Sequence, residues 1–574
     1  MTKPLLRLPL GISSFIEIRE GGYAFVDKTQ TIEKLEKTAS PYVLFLRPRR
    51  FGKTLLTSML LAYYDAAFSG RFDQIFGGTY IHGHRTPLQG KYFVLRFDFS
   101  GIDSSNLIPG FISRLLRGIR AFFARHPMDG EDVFFEREYN NPSQLIVDFF
   151  AKIQPLVGER LFIIIDEYDH FANNVLAHDK ALFHKITSAE GFLKNFYSTL
   201  KAETGPDGVI ARIFVTGVTS ISMDSMTSGF NIQTNVSQDL NFCDAVGFTE
   251  SELLGLLQST VDVERIGCGV EEVVDRMRDY YNGYRFSPDG ELKVYNSAMC
   301  LYYLSSLQCR GKEPVLMVDP ASSPDLSKIE GIFDLAYQQD LVDVVDAAMT
   351  GRSAKLPIGD ISPSVNLNSS ERFSRNDLLS VLFFMGYLTY SSNSYGQLVC
   401  PNKAIRMQFF EYYFEKLKGF HLHFAGFDLV KPFEAMREGD ITPFLRYFEQ
   451  KLQESSGIHA TTHLSESSLQ FGIRYALLTN SDYQVSIETE ARGKGYCDIV
   501  LEPLPDSRTE FSYLLELKYV KKSASSPKEI QNARDEAMRQ LRRYETAQPF
   551  ASRDRLKKVA VVFCGLDLAA VEEV

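Results

Sequence analysis

The chain has 574 residues, too many for one hydrophobic core, and its 44% hydrophobic and 23% charged composition is that of an ordinary globular protein of three or four domains. A net charge of −10 argues against a protein that coats nucleic acid through its overall field, while leaving room for a local basic site. No apolar run reaches the roughly 18 residues of a membrane span, and the opening MTKPLLRLPLG is too short for a secretory signal; seven scattered cysteines without a CxxC pair indicate neither disulfides nor zinc, so a cytoplasmic setting is expected.

A short helix is expected over Thr31–Thr38, after Asp27-Lys28-Thr29. Val43–Leu46 reads as a buried strand, Arg47-Pro48-Arg49-Arg50 as a basic turn, and Phe51-Gly52-Lys53-Thr54 as a helix start. Strand, tight loop, Gly-Lys-Thr and helix are the order a phosphate-binding loop requires. Backbone N–H groups of Arg50, Phe51 and Gly52 and the Lys53 ammonium suit a triphosphate, and the Thr54 hydroxyl suits Mg²⁺. The full motif has a glycine six residues before the lysine, where this chain has Arg47, so the motif is half present.

Tyr92–Phe99 is the next strand, ending at Asp98 and Ser100, and helical patterns follow over Leu107–His126 and Pro142–Val157. In Leu161–His170 (LFIIIDEYDH) the apolar residues fit a strand buried on both faces of a parallel sheet. Asp166 and Glu167 then stand at its C-terminal end, where open α/β sheets place their ligands. Asp166 suits a metal and Glu167 the polarisation of an attacking water, although a polar strand end entering a helix fits the same letters taken alone. Arg212–Val215 is a further strand, and Thr216 at its tip is positioned to sense a γ-phosphate. This alternation predicts a doubly wound α/β P-loop NTPase domain over 1–235, with a capping box, Thr249-x-x-Glu252, in a helical lid over 236–290.

Residues 291–425 read as mostly helical with one hairpin, Tyr387–Ser391 and Gln397–Cys400, between helices over Asn376–Met385 and Lys403–Lys418. That order resembles a winged helix, which packs against a nucleotide domain more often than it touches DNA. Gly351–Arg372 reads as an exposed loop.

The last domain, 426–574, carries strands over Tyr483–Thr489, Tyr496–Leu501 and Phe511–Lys518. Asp498, Glu516 and Lys518 lie inside these apolar strands, and Glu516 and Lys518 share a strand face. Burying them is costly unless they are paired or bind a metal. Two carboxylates from adjacent strands suit Mg²⁺, and a lysine suits orienting or activating water at a phosphodiester. A solvent-facing hairpin with a salt bridge fits the bare pattern as well. Against it, Glu466 shares a helical stripe with Leu469, Ile473 and Leu477, and Gln540 shares one with Ala533, Ala537 and Tyr544, so both point inward. From Lys518 to Lys558 twelve Lys/Arg stand against five Asp/Glu, a local excess suited to a phosphate backbone. A second capping box, Ser526-Pro527-Lys528-Glu529, opens the Gln540 helix.

Phe25-Val26-Asp27-Lys28-Thr29, Arg47-Pro48-Arg49-Arg50-Phe51-Gly52-Lys53-Thr54, Ile165-Asp166-Glu167-Tyr168-Asp169, Gly247-Phe248-Thr249, Tyr281-Asn282-Gly283-Tyr284 and Pro401-Asn402-Lys403 resemble the AAA-ATPase-like family, whose members commonly carry a C-terminal PD-(D/E)XK nuclease domain. The resemblance implies that Arg47 is a family trait. It also implies that Asp498 and Glu516 are nuclease metal ligands, Lys518 the catalytic lysine, and Gln540 and Glu466 auxiliary helical positions. Gly493-Lys494-Gly495 is similar to the family's glycine turn, and Glu488 or Glu490 is a further candidate ligand. Tyr295-Asn296-Ser297 departs from the usual proline after the asparagine, a change expected to touch only a turn.

The expectation is an ATP-binding or ATP-hydrolysing protein coupled to Mg²⁺-dependent cleavage of DNA, in defence, mobile-element or repair biology. Arg49 or Arg50 would meet the γ-phosphate or a neighbouring subunit of a homo-oligomer, or simply be solvated. Its rivals are a nucleotide switch whose nuclease-like domain only binds DNA or a protein partner, and a nuclease with a silent ATPase.

Overall fold

The computed structural model describes residues 5–103, 106–158, 160–188, 190–219, 231–266, 269–314, 316–319, 340, 344, 373–392, 397–412, 429–454, 464–477, 482–491, 495–503, 507, 509–544, 550 and 555–574. The expected loop over Gly351–Arg372, the side chains of Glu488 and Glu490, and Gly493-Lys494 lie outside what is described. The chain divides into two compact units, Met1–Ile405 and Arg406–Val574.

The first unit is built on strands β1 (Tyr42–Leu46), β2 (Phe93–Asp98), β3 (Leu161–Asp166), β4 (Ile210–Gly217) and the short β5 (Thr234–Asn235). They form one sheet in the order β2-β3-β4-β1-β5, and every pairing is parallel. This parallel sheet with its helices is a P-loop NTPase fold. Parallel strands need crossovers, and helices α1 (Lys53–Tyr64), α2 (Leu107–Arg125), α3 (Pro142–Val157) and α4 (Phe192–Ala202) lie in those between β1 and β4. Helical cover explains the composition of β3, in which all six residues are buried. Because β4 lies between β1 and β3, the ends of the loop strand and the Asp-Glu strand are held one strand apart.

Beyond the sheet, α5 (Glu250–Thr260), α6 (Val270–Tyr281) and α7 (Ser297–Arg310) bury a shared core of Leu253, Leu257, Val273, Met277, Tyr303 and Leu304. Leu8 and Ala24 of the N-terminal segment join that core, so the start of the chain packs against the lid. The Thr249–Glu252 capping box is formed as expected. Helix α8 (Arg375–Met385), the hairpin β6 (Thr389–Tyr390) with β7 (Leu398–Val399), and α9 (Lys403–Tyr412) follow in the expected order.

The second unit contains helices α10 (Thr442–Glu454) and α11 (Glu466–Leu477) and a five-stranded mixed sheet. Its strands are β8 (Tyr483–Glu490), β9 (Tyr496–Pro503), β10 (Ser512–Val520), β11 (Leu556–Cys564) and β12 (Asp567–Glu573), in sequential order. All pairings are antiparallel except β10 with β11, whose crossover carries α12 (Pro527–Tyr544). Ala537, Leu541 and Tyr544 of α12 bury against Cys497, Val500 and Leu514. The exposed remainder of its surface carries both signs: Lys528, Arg539, Arg542 and Arg543 are basic, and Glu529, Asp535 and Glu536 are acidic. No described helix is long and apolar enough to cross a membrane.

Candidate active sites

Arg47, where a phosphate loop usually has glycine, is buried with 1% of its surface exposed. Its guanidinium lies between the rings of Phe45 and Phe286, 4.5 and 4.2 Å from their centroids. It donates to the carbonyls of Leu46 (2.8 Å), Ser237 (2.6 Å) and Phe242 (2.7 Å). Burial lowers its pKa to about 9, against the pull of nearby Cys243 and Asp244. Arg47 is therefore an anchor that fastens the loop to the segment after β5, and it does not face a ligand.

The rest of the loop faces a cavity of about 630 Å³ lined by Arg49, Arg50, Phe51, Gly52, Lys53 and Thr54. Gly52, just before α1, has φ +101°, a conformation that a side chain would resist. The Lys53 ammonium is buried, 3.1 Å from Pro48 O and 3.6 Å from Glu167 Oε1, so the two candidate groups form an ion pair. Arg50 is exposed and stands 3.8 Å from Asp319. Of the three non-glycine residues with positive φ among those described, Arg50 (67°) and Glu167 (52°) both line this cavity. Such backbone costs of order 1–3 kcal/mol per residue and concentrates at functional sites.

Asp166 is fully buried and does not line the cavity. Its Oδ2 accepts from Arg96 (2.9 Å) and Thr57 (3.2 Å), while Oδ1 has no protein partner. Burial raises its carboxyl pKa, and Arg96 opposes the rise. An orphaned carboxylate oxygen on a side chain that meets Thr57, one turn after the loop, fits a bound cation. Thr216 behaves differently from the expectation: it is fully buried, and its hydroxyl donates to Phe45 O at 2.7 Å, inside the sheet and off the cavity lining.

Three features were given no site role in the sequence. Asp98 pairs in register with Asp166 across β2 and β3 and lines the cavity beside Glu167. Its place at a strand end was the available signal. Asp169 is fully buried and accepts from the backbone N–H groups of Val218 (3.1 Å) and Thr219 (2.7 Å), tying the chain after β3 to the end of β4. Apolar residues also line the cavity: Ile12, Phe25 and Val26 from the N-terminal segment, and Val246, Phe248 and Leu301 from the lid region. Lys28 to Glu252 at 2.7 Å joins these two segments. Ser297 corrects an expectation, because it touches more than a turn: its hydroxyl donates to Arg50 O at 3.1 Å, and it lines the cavity.

In the second unit, the β9–β10 ladder runs as far as Ile499 opposite Leu515. Beyond it the Asp498 carboxylate takes over, accepting from Leu517 N at 2.7 Å. Glu516 is 2% exposed; its Oε1 is 3.2 Å from Lys518 Nζ, and its Oε2 is buried without a partner. Lys518 also donates to Leu517 O (3.1 Å) and Glu466 Oε1 (3.5 Å). Glu466 Oε2 in turn accepts from Tyr519 N at 3.3 Å. The structure thus brings Asp498, Glu516, Lys518 and Glu466 together. Gln540 is half-buried, with a buried Oε1 that lacks a partner. Gln470 was missed: its Nε2 reaches Asp498 O at 3.0 Å and Oδ1 at 3.4 Å. Its position four residues after Glu466, on the same helix face, was the signal.

Burial raises the Glu516 carboxyl to about 8, helped by Asp498 and opposed by Lys518. Asp498 rises to about 6, also through burial. For Lys518 burial acts to lower the pKa, but the surrounding carboxylates outweigh it and raise it. Two desolvated carboxyls, one with an orphaned oxygen, fit a divalent cation. No group of three or more His, Cys, Asp and Glu able to hold a metal occurs among the described residues. A cation here would therefore complete its shell with water and substrate oxygens, as Mg²⁺ commonly does.

The family model described as a predicted AAA-ATPase matches residues 9–227, and that of the PD-(D/E)XK nuclease superfamily matches residues 469–573. The chain is 25% identical over 374 residues to an uncharacterized protein in the vnfD 5' region of Azotobacter chroococcum mcd 1, a match covering 62% of this chain and 64% of that protein. Among solved structures it is similar to a Walker-type ATPase of Pyrococcus abyssi, with 10% identity and a TM-score of 0.35 over 71% of this chain and 99% of the other.

Proposed function

We propose that this chain, which joins an AAA-ATPase-like domain over 9–227 to a PD-(D/E)XK nuclease superfamily domain over 469–573, binds ATP at its first site and cleaves DNA at its second, under nucleotide control, in the cytoplasm. The observation that carries the cleavage reading is Glu516, buried with an orphaned oxygen, beside Asp498 and a lysine whose donors are all engaged. Burying that set has no packing benefit and suits a cation-dependent hydrolytic site.

In the first site Lys53 and the N–H groups of Arg50, Phe51 and Gly52 hold the phosphates, and Lys53 exchanges Glu167 for them. Thr54 and Asp166 would hold Mg²⁺ there, and Glu167 is then free to orient water. Asp498 and Glu516 would hold Mg²⁺ in the second site. When bound, the ion supplies positive charge against the phosphate oxygens in both places. Lys518, kept as ammonium by three acceptors, offers charge rather than a base at the scissile phosphate. Glu466 holds Lys518 in place, Gln470 holds Asp498, and Gln540 adds a polar group from α12. The basic positions of α12 fit the phosphate backbone of a nucleic acid.

The test is DNA cleavage by the purified chain with Mg²⁺, with and without ATP, beside Glu516→Ala. Cutting by the wild type alone supports the reading. Equal cutting by both proteins shows a contaminant, and no cutting under any condition favours a nucleotide switch whose second unit only binds its partner.

A further inference from the structure

Tyr281-Asn282-Gly283-Tyr284 and Pro401-Asn402-Lys403 are 117 residues apart in the chain and have no part in either site, yet they meet. The Asn402 amide donates to Asn282 O at 2.8 Å, and both Asn402 and Tyr284 are buried. The Tyr284 hydroxyl interacts with the Asn402 side chain. Gly283 makes the approach feasible: its φ is +99°, and a Cβ there would fall 2.1 Å from Pro401 O. Lys403 adds an ion pair to Asp279 at 2.6 Å.

One end of this junction rests on the phosphate loop. Phe51, between Arg50 and Gly52, meets the Tyr284 ring edge to face at 4.8 Å, and its carbonyl accepts from Gly247 N at 3.0 Å. At the other end Asn402 opens α9, its Oδ1 accepting from Ile405 N at 3.1 Å. Helix α9 runs from Lys403 to Tyr412, across the boundary between the two compact units at Ile405 and Arg406. A single buried asparagine thus caps that helix with its oxygen while its nitrogen holds the turn on which the loop's Phe51 rests.

We infer that Tyr284 and Asn402 form a relay that passes the occupancy of the phosphate loop to the start of α9. The inference rests on the reading that the loop binds ATP. Closing Arg50, Gly52 and Lys53 around phosphate moves Phe51, which lies between them. The Phe51 ring bears on Tyr284, and packed aromatic rings transmit such a shift because they rearrange in discrete steps. Asn402 then tightens or loosens the first turn of α9.

The experiment is amide hydrogen exchange on the full chain, with and without ATP, read over residues 403–412. ATP affinity is measured in parallel with a fluorescent ATP analogue. Two variants separate relay from scaffold. Asn402→Asp keeps the capping oxygen and loses the donor to Asn282 O, and Tyr284→Phe keeps the ring on Phe51 and loses the hydroxyl. In the wild type ATP should change exchange over 403–412 by at least ~3-fold, a shift in local opening of that size being readily measured. In both variants the ATP-induced change should vanish while ATP affinity stays close to wild type. ATP binding with no change at 403–412 in the wild type overturns the relay alone. A persistent change in both variants does the same. A wild type that does not bind ATP overturns the relay and the nucleotide reading together.

Discussion

Lys518 has oxygens at 3.1, 3.2 and 3.5 Å, matching the three N–H bonds of an ammonium. Its loss would leave Glu516 without its one protein partner, so Lys518→Met should abolish cleavage without weakening DNA binding, as read by gel shift in metal-free buffer. The carboxyls give a pH signature of the opposite sign to an ordinary salt bridge. Folding raises Glu516 from 4.5 to about 8, so through that window the folded chain holds a proton the unfolded chain has released. Stability therefore falls as pH rises across it. Metal-free Glu516→Gln should melt above the wild type at about pH 9 and level with it near pH 3, where the wild-type carboxyl is protonated in both states; equal melting at both pH values would contradict the burial argument. At the loop, Lys53→Ala should weaken ATP binding by roughly 100-fold, about 2.7 kcal/mol, as measured by calorimetric titration. Lys53, Asp166, Asp498 and Glu516 were legible in the sequence because a strand end or an apolar run marks them locally. Arg47 and Asp169 were not, because what they hold is backbone distant in the chain, Phe242 O and Val218 N; for Gln470 only the spacing from Glu466 was readable, since Asp498 O is equally distant.

Among the elements, the capping box of α5 is a small device with two duties. Glu252 accepts from Thr249 N at 2.7 Å and also receives Lys28 at 2.7 Å, so the helix start and the N-terminal segment share one carboxylate. Thr249→Ala removes the side-chain acceptor for Glu252 N and should cost about 1 kcal/mol in chemical denaturation. Glu252→Ala should cost more than Thr249→Ala because it also releases Lys28. Seven of the ten strands of the two sheets could be placed from apolar runs and alternation; β5, β11 and β12 were not read, and the strands' neighbours could not be. That β4 separates β1 from β3, and that β10 and β11 run parallel across α12, depend on crossovers between distant segments. The same limit explains Thr216. Its position at a strand tip was readable, whereas the carbonyl of Phe45 that occupies its hydroxyl belongs to a strand paired with it only in three dimensions.

For the molecule as a whole, acidic overall charge and a basic helix act at different ranges. Beyond a Debye length of about 8 Å the net −10 is screened, and a bound backbone senses the nearby cations. Arg542 and Arg543 are both exposed near the end of α12. Replacing both with glutamine should weaken DNA binding uniformly across sequences and reduce the slope of log K against log salt by about 2, one for each phosphate no longer neutralised. An unchanged slope would move the DNA-binding surface elsewhere.

Arg47 has a consequence for how such chains diverge. Its cation stacks between two aromatic rings and holds three carbonyls, so no single substitution can convert this loop to the glycine form: glycine at 47 would leave a hollow between Phe45 and Phe286 and strand the carbonyls of Ser237 and Phe242. Phe45, Arg47 and Phe286 form one unit of side chains, whereas the carbonyls of Ser237 and Phe242 are backbone that any residue at those positions supplies. A pattern search keyed to the glycine would pass over chains of this kind, whereas one keyed to an arginine two residues after a strand phenylalanine, with a second phenylalanine far downstream, would gather them.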